Sequence, residues 1–362
     1  MHWPSHGANP QLLLQQWKLD ENEKNYIDFS VNTNPYGPPP GLTEHLQLHM
    51  DKCYSYPDHD SKKLTAALAS AYRIRESHIL VGNGASQLIY LLAQLFRGQS
   101  IGVFEPTFSE YREACIANGC TVYSLPVDDK HDWELRQVNY INWLDKLDVL
   151  FLCHPNNPTG KVYNPLILKN LIQQCEQKGV WLVIDEAFHD FVEEGAFFTP
   201  EISSYSKVIL LRSLTKMYAI PGMRLGYLVA PEPIVDKLHQ LQPTWSLNGL
   251  AQEAGLYCLE EQAYRKTCST SIQANKQKVF SYLREMGYEP ETSYTNFFLL
   301  QDPYHHDTEE LFRFLLENGL IVRHTYNFHP LNGRYIRIAV RREEENSLLL
   351  DALQRWKQVC LP

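Results

Sequence analysis

The chain has 362 residues, of which 44% are hydrophobic and 21% charged, the proportions of an ordinary globular protein with ample length for a packed core. A formal net charge of -9 and an isoelectric point near 5.9 argue against a nucleic-acid or anionic-membrane surface, since both demand clustered basic charge. No stretch approaches the roughly 18 apolar residues of a membrane span, the opening Met1-His2-Trp3-Pro4-Ser5-His6 lacks the basic flank and apolar run of a signal peptide, and eight cysteines without a CxxC pair read as reduced, mostly buried hydrophobes; a cytoplasmic location is expected.

Residues 1–40 include Asn34-Pro35-Tyr36-Gly37-Pro38-Pro39-Pro40, too proline-rich for regular structure, and are read as an arm associated with a smaller domain. From residue 79 short, nearly continuous apolar runs alternate with helical patterns. The runs are 79–81, 101–104, 121–125, 149–152, 180–184, 208–211 and 226–229, each suited to a strand covered on both faces. Helix-like stretches at 86–96, 109–118 and 165–178 lie between them, with Gly119 and Gly179 placed as C-caps. The alternation predicts an α/β large domain over residues 41–259, with a mostly parallel seven-stranded sheet flanked by helices. After residue 260 the order changes to helix, strand, helix, two strand candidates and a closing helix. That pattern predicts a smaller α+β domain over 260–362.

Five clusters fall at the ends of the predicted strands, where open α/β sheets bind ligands. In the segment from Arg212 to Gly226, Lys216 stands three residues after Ser213 and eight before Arg224. A lysine amine can form an exchangeable imine with an aldehyde cofactor, while Ser213 and the planar fork of Arg224 grip a phosphate. A surface Ser/Lys/Arg trio is the alternative. Gly82-Asn83-Gly84-Ala85-Ser86 lies between a strand and a helix, so Gly84, Ala85 and Ser86 would present a helix N-terminus to an anion. Phe108, in Glu105-Pro106-Thr107-Phe108, is read either as a platform for a flat ring or as core. Asn157, in the proline-locked loop His154 to Gly160, would offer an amide to a ring hydroxyl. Asp185 ends a very apolar strand; it is read either as the partner of a protonated pyridinium nitrogen or as the cap of a following helix.

With these residues in place, the chain resembles the pyridoxal-phosphate enzymes of the aspartate aminotransferase fold. The spacings from Asn157 to Asp185 and from Lys216 to Arg224 match that family's habit. The resemblance is strongest to the branch that holds histidinol-phosphate aminotransferase and threonine-phosphate decarboxylase, the latter a cobalamin-pathway enzyme. Ser5 to Asn9, Asp28 to Pro35, Asp185 to Phe188, Ser213 to Gly222 and Trp245 to Asn248 lean toward the decarboxylase. Phe188 stands where the aminotransferases usually have tyrosine, and Ala85 and Gln87 stand where an acidic residue is common. The resemblance implies pyridoxal 5'-phosphate on Lys216, with Asp185 holding its ring nitrogen. It also implies a homodimer in which Tyr56 reaches the cofactor phosphate of the neighbouring subunit. The substrate would be a small phosphorylated amino acid, its carboxylate bound by Arg337 and its phosphate by Arg323, His6 and Asn32. Without the family, Arg323 and Arg337 are arginines inside apolar strand-like segments that must find an anion; an internal salt bridge is the other reading. His305-His306-Asp307 reads as a solvated loop, and Glu343-Glu344-Glu345 as the first turn of a helix. No appended basic or DNA-binding segment supports a regulator that merely binds the cofactor.

Overall fold

The computed structural model of the protein describes residues 3, 7, 9–19, 25–193 and 204–360. It begins with helix α1 (Pro10–Gln16) and a short strand β1 (Ile27–Asp28). Helix α1 starts where the Asn9 side chain accepts the Leu12 amide at 3.2 Å and Pro10 occupies the first turn, where no amide partner is needed. These two elements lie within the segment whose proline content predicts irregular structure; the proline-rich stretch 34–40 itself is irregular. Helices α2 (Leu42–Leu48) and α3 (Lys62–Tyr72) follow.

The central part runs β2 (Ile79–Asn83), α4 (Gly84–Leu95), β3 (Ser100–Glu105), α5 (Glu110–Ala117), β4 (Thr121–Pro126), β5 (Val149–Cys153), α6 (Pro165–Lys178), β6 (Trp181–Asp185), β7 (Val208–Ser213), β8 (Leu225–Val229), α7 (Glu232–Leu241) and α8 (Gly249–Glu260). All seven expected runs form strands of one sheet, in the order β2-β8-β7-β6-β5-β3-β4. Only β8 runs against its neighbours, pairing antiparallel with both β2 and β7. The apolar runs are continuous because each face of the sheet meets its own core. Leu150, Leu152, Leu182 and Ile184 enter one cluster, while Val149, Phe151, Val183 and Ile209 enter the other. Gly179 ends α6 with φ +72°, as its position in the sequence predicts.

The remainder runs α9 (Gln262–Glu285), β9 (Phe297–Leu300), α10 (Glu309–Glu317), β10 (Leu320–Ile321), β11 (Arg323–His324), β12 (Ile336–Ala339) and α11 (Glu343–Cys360). Strands β11, β12 and β9 form an antiparallel sheet with β12 in the middle, and β1 pairs parallel with β10. The register places Arg323 directly opposite Arg337. Among the described residues no helix is long and apolar enough to cross a membrane.

Candidate active site

Strands β5, β6 and β7 end together at Cys153, Asp185 and Ser213, and Cys153 pairs in register with Asp185. Two adjoining cavities open there. The inner one, of about 100 Å3, is lined by Gly84, Ala85, Ser86, Phe108, Asn157, Asp185, Ser213, Lys216 and Arg224, together with Tyr111, Cys153, Ala187, Phe188 and Thr215. The outer one, of about 250 Å3, shares Ser86, Phe108, Asn157, Phe188, Lys216 and Arg224, and adds Asn32, Arg323, Asn327, Phe328 and Arg337 among others. A larger hollow of about 430 Å3 lies beside α9 between His189 and Gln273, but it contains neither Lys216 nor either of these buried arginines.

One wall of the inner cavity is a cup for an anion. Helix α4 starts at Gly84 without a side-chain cap, so its first amides and the Ser86 hydroxyl face the cavity mouth. Gly84 has φ +74°, and a Cβ there would stand 2.7 Å from the Arg224 Nη2. The guanidinium therefore packs over a bare Cα, and any larger residue would push it out of the cup. On the other side the Ser213 hydroxyl lies 2.8 Å from that of Thr215. Gln87 accepts the Asn83 amide at 2.7 Å, giving this neutral residue a task inside the turn.

The far wall carries Asp185, which is 4% exposed. Its Oδ2 accepts from the Tyr111 hydroxyl at 2.7 Å and its Oδ1 from the Ala187 amide at 2.9 Å. Burial pushes its carboxyl up to about 6, opposed by those two hydrogen bonds. Asp185 caps only the short turn at Ala187; the next described element is a 3-10 turn at His189–Phe191, and no α-helix follows directly among the described residues. Asn157 accepts from Arg337 Nη1 through its Oδ1, which leaves the Nδ2 amide as a donor. Phe188 packs edge-on against Phe297 at 4.9 Å and lies 6.0 Å from Lys216 Nζ. Lys216 itself is pushed down to about 8 by burial, with the positive Arg337 and Arg224 adding to the effect. The downward shift makes its amine easier to deprotonate than an ordinary lysine's. The arm fixes its backbone: the Asn34 amide donates to the Lys216 carbonyl at 2.9 Å, and the Asn34 side chain donates to Met217 at 2.9 Å.

The outer cavity is cationic. Arg337, 6% exposed, donates to Ser30 O at 2.7 Å and makes no ion pair with a carboxylate among the described residues. Burial, then the neighbouring Arg323, pushes it down to about 9. Arg323 is held by Asn327 Oδ1 at 2.7 Å and packs 5.3 Å from the Phe328 ring; burial pushes it down to about 10. The buried Oδ1 of Asn32 has no hydrogen-bond partner among the described residues. His6 lies outside the described residues, although its neighbour Gly7 lines the outer cavity. Tyr56 is 79% exposed, stacks on Trp245 at 4.5 Å and lines neither cavity of its own chain.

Tyr111 and Asn34 are the site residues that sequence reading missed. Tyr111 sits on a helix and meets Asp185 across 74 positions of sequence, so no local pattern announces it; the buried carboxylate was the only signal that some donor had to exist. Its energetic consequence is testable. Folding raises the Asp185 carboxyl above its ordinary value, so at neutral pH the ionised form costs the cofactor-free protein on the order of 3 kcal/mol. Asp185→Asn should therefore raise the melting temperature of cofactor-free protein at pH 7.5. That advantage should fade as pH falls through about 6 toward 4, where the wild-type carboxyl is protonated in both states. A variant less stable than wild type at pH 7.5, or an advantage independent of pH, would contradict the electrostatic account.

Residues 24–353 match the model of the aminotransferase class I and II family. The chain is 32% identical to threonine-phosphate decarboxylase of Salmonella typhimurium over 332 residues, which is 91% of this chain and 90% of that one. Among solved structures it is similar to the histidinol-phosphate aminotransferase of Clostridium acetobutylicum, with a TM-score of 0.87, 27% identity and coverage of 92% of this chain and 99% of that one. The L-threonine-O-3-phosphate decarboxylase of Porphyromonas gingivalis gives a TM-score of 0.83 at the same identity and coverage. A phosphate cup, an amine of lowered pKa and a buried carboxylate at one set of strand ends fit the cofactor of these enzymes, and the chain belongs to the pyridoxal-phosphate-dependent class I and II aminotransferase family.

Proposed function

We propose that the protein decarboxylates L-threonine O-3-phosphate to aminopropanol phosphate. The observation that carries this reading is the pairing of Arg323 with Arg337 on adjacent strands, both facing the cavity that contains Lys216. Two buried guanidiniums side by side, both lowered in proton affinity by burial and Arg337 further by Arg323, favour a ligand with two separate anions. A carboxylate and a phosphate on a short chain meet that demand. The Salmonella relative's name supports the same substrate. Phe188, which adds no hydroxyl beside the lysine, supports it as well.

Bound pyridoxal phosphate supplies an electron sink for a bond broken at the substrate Cα. In this reading Ser213, Arg224 and the first amides of α4 hold its phosphate, Asn157 donates to its ring hydroxyl, and the Asp185 carboxylate keeps a proton on its ring nitrogen. Arg337 binds and orients the substrate carboxylate, while Arg323, Asn32 and His6 hold the phosphate. As the bond from Cα to the carboxyl carbon breaks, CO2 leaves and its electron pair stays behind. Lys216 Nζ, protonated at that point, then delivers the proton that Cα needs. The same groups would serve an aminotransferase of the histidinol-phosphate type if Lys216 instead removed the Cα proton, and the likeness to the Clostridium structure favours that second reading. Threonine phosphate should release CO2 without an added keto acid, while histidinol phosphate with 2-oxoglutarate should give no glutamate. Glutamate from the second mixture and no CO2 from the first would overturn the decarboxylase reading and leave the cofactor assignment standing.

We also propose that two copies share their sites. Tyr56 is exposed and remote from its own chain's cavities, which suits a hydroxyl that completes the phosphate cup of a second copy. Heterodimers of Tyr56→Phe and Lys216→Ala subunits should recover activity above either parent, because one of the two sites would be intact. Verified heterodimers with no recovery would rule out a shared site.

A further inference from the structure

Away from the cavities, α2 and α8 meet through a cluster of imidazoles around one carboxylate. His45 Nε2 and His49 Nε2 lie 3.7 Å and 3.8 Å from the same oxygen, Glu253 Oε2. The other oxygen, Oε1, faces Lys52 Nζ at 3.7 Å. None of these separations is a hydrogen bond, which needs roughly 2.7–3.2 Å. His45 Nε2 is buried and has no hydrogen-bond partner among the described residues. His49 Nδ1 lies 2.8 Å from the His45 carbonyl oxygen. Since a carbonyl can only accept, Nδ1 carries the hydrogen, and in the neutral ring Nε2 presents a lone pair to Glu253. Two imidazole nitrogens and a carboxylate oxygen thus converge on a common point, all within 4.8 Å of one another.

We infer that His45, His49 and Glu253 form a binding site for one divalent transition-metal ion of the zinc type, which clamps α2 onto α8. The two histidines stand one helical turn apart, the spacing that lets both rings reach one ion. Zinc bonds of 2.0–2.2 Å at open angles place donor atoms roughly 3.3–3.8 Å apart; the two nitrogen-to-oxygen separations, 3.7 and 3.8 Å, fall in that range, and all three donor atoms lie within 4.8 Å of one another. Two nitrogens and one oxygen are a donor set for zinc, cobalt or nickel rather than calcium or magnesium. The hydrogen bond from His49 Nδ1 fixes the tautomer as outer hydrogen bonds do at metal-bound histidines. The two rings lie side by side, their centroids 4.3 Å apart. Each ligand keeps part of its surface in solvent, which leaves a fourth position for water.

The clamp has a structural reach. Tyr257, one turn beyond Glu253, packs on His45 at 4.9 Å and donates to the Pro40 carbonyl at 2.6 Å. Gln252 donates to the Asp58 carbonyl at 3.0 Å. An ion at Glu253 would therefore pin both ends of the segment that carries Tyr56. The three ligands line neither active-site cavity, so the ion stabilises this segment and takes no part in chemistry on the substrate.

The test uses the cofactor-loaded protein, stripped with chelator, desalted and titrated with zinc sulfate by calorimetry and with cobalt chloride by visible absorption. The wild type should bind one equivalent per chain, with a rise in melting temperature and a cobalt band of low-coordinate type. His49→Gln and Glu253→Gln should each weaken binding by at least about 10-fold and lose the thermal shift. His305→Gln, which alters another half-buried histidine beside carboxylates, should bind as the wild type does. Two variants are used so that a failure of one to fold leaves the other to decide, with circular dichroism confirming that each is folded. No saturable uptake by the wild type, or uptake unchanged in a folded variant, would overturn the inference.

Discussion

The site depends on where the fold leaves charge buried without neutralising it. At the ends of β6 and β7 Arg212 and Glu186 form an ion pair at 2.9 Å, both almost wholly buried. Beside it stand Asp185, Lys216 and Arg337, whose proton affinities are all displaced in the direction that burial dictates. Such groups destabilise a protein that has nothing to set against them, and stabilise its complex with a ligand of complementary charge. The signs are opposite for acid and base. The cost of burying Asp185 is relieved as pH falls below about 6, and that of burying Lys216 as pH rises above about 8. Between those limits the cofactor-free site is held in its least comfortable state. A cofactor with an aldehyde and a ring nitrogen that takes up a proton would answer Lys216 and Asp185, leaving Arg337 in the outer cavity for an anion of the substrate.

Long-range contacts hold these groups in place. Asn34, from the segment before the central sheet, fixes the backbone at Lys216. Arg337, on the middle strand of the small sheet, reaches Asn157 after β5 and the Ser30 carbonyl near the arm. One guanidinium thus connects three segments of chain at the boundary between the inner and outer cavities. Of its remaining donors, the buried Nε has no partner among the described residues, which leaves capacity for a further acceptor.

Much of the architecture is legible in the sequence because strands covered on both faces announce themselves as nearly continuous apolar runs. The seven runs from Ile79 to Val229 all became strands of the central sheet. The reversed direction of β8 is not written in its composition, since an apolar strand reads the same either way. Helix α1 was hidden behind the prolines that follow it, although Asn9-Pro10 carries its start signal. The residues lining the inner cavity were legible for a local reason: Ser213, Lys216 and Arg224 lie in the one connection from β7 to β8, and Gly84 to Ser86 open one helix. Tyr111 was not, because its partner Asp185 is reached only through the packing of α5 on the sheet. The Arg323–Arg337 pairing needed the register of β11 against β12, which apolar periodicity does not supply.

The central claim is that the amine at Lys216 carries the cofactor. The chain offers a rival in Lys276, which is 2% exposed and pushed down to about 7 by burial. Lys276, however, donates to the carbonyls of Ser293 at 2.7 Å and Thr295 at 3.0 Å and faces neither cavity. Borohydride reduction of the yellow protein, followed by proteolysis and peptide mapping, separates the two directly. The account predicts one reduced cofactor per chain on the peptide containing Lys216. Recovery of the label on Lys276 or any other lysine would contradict it.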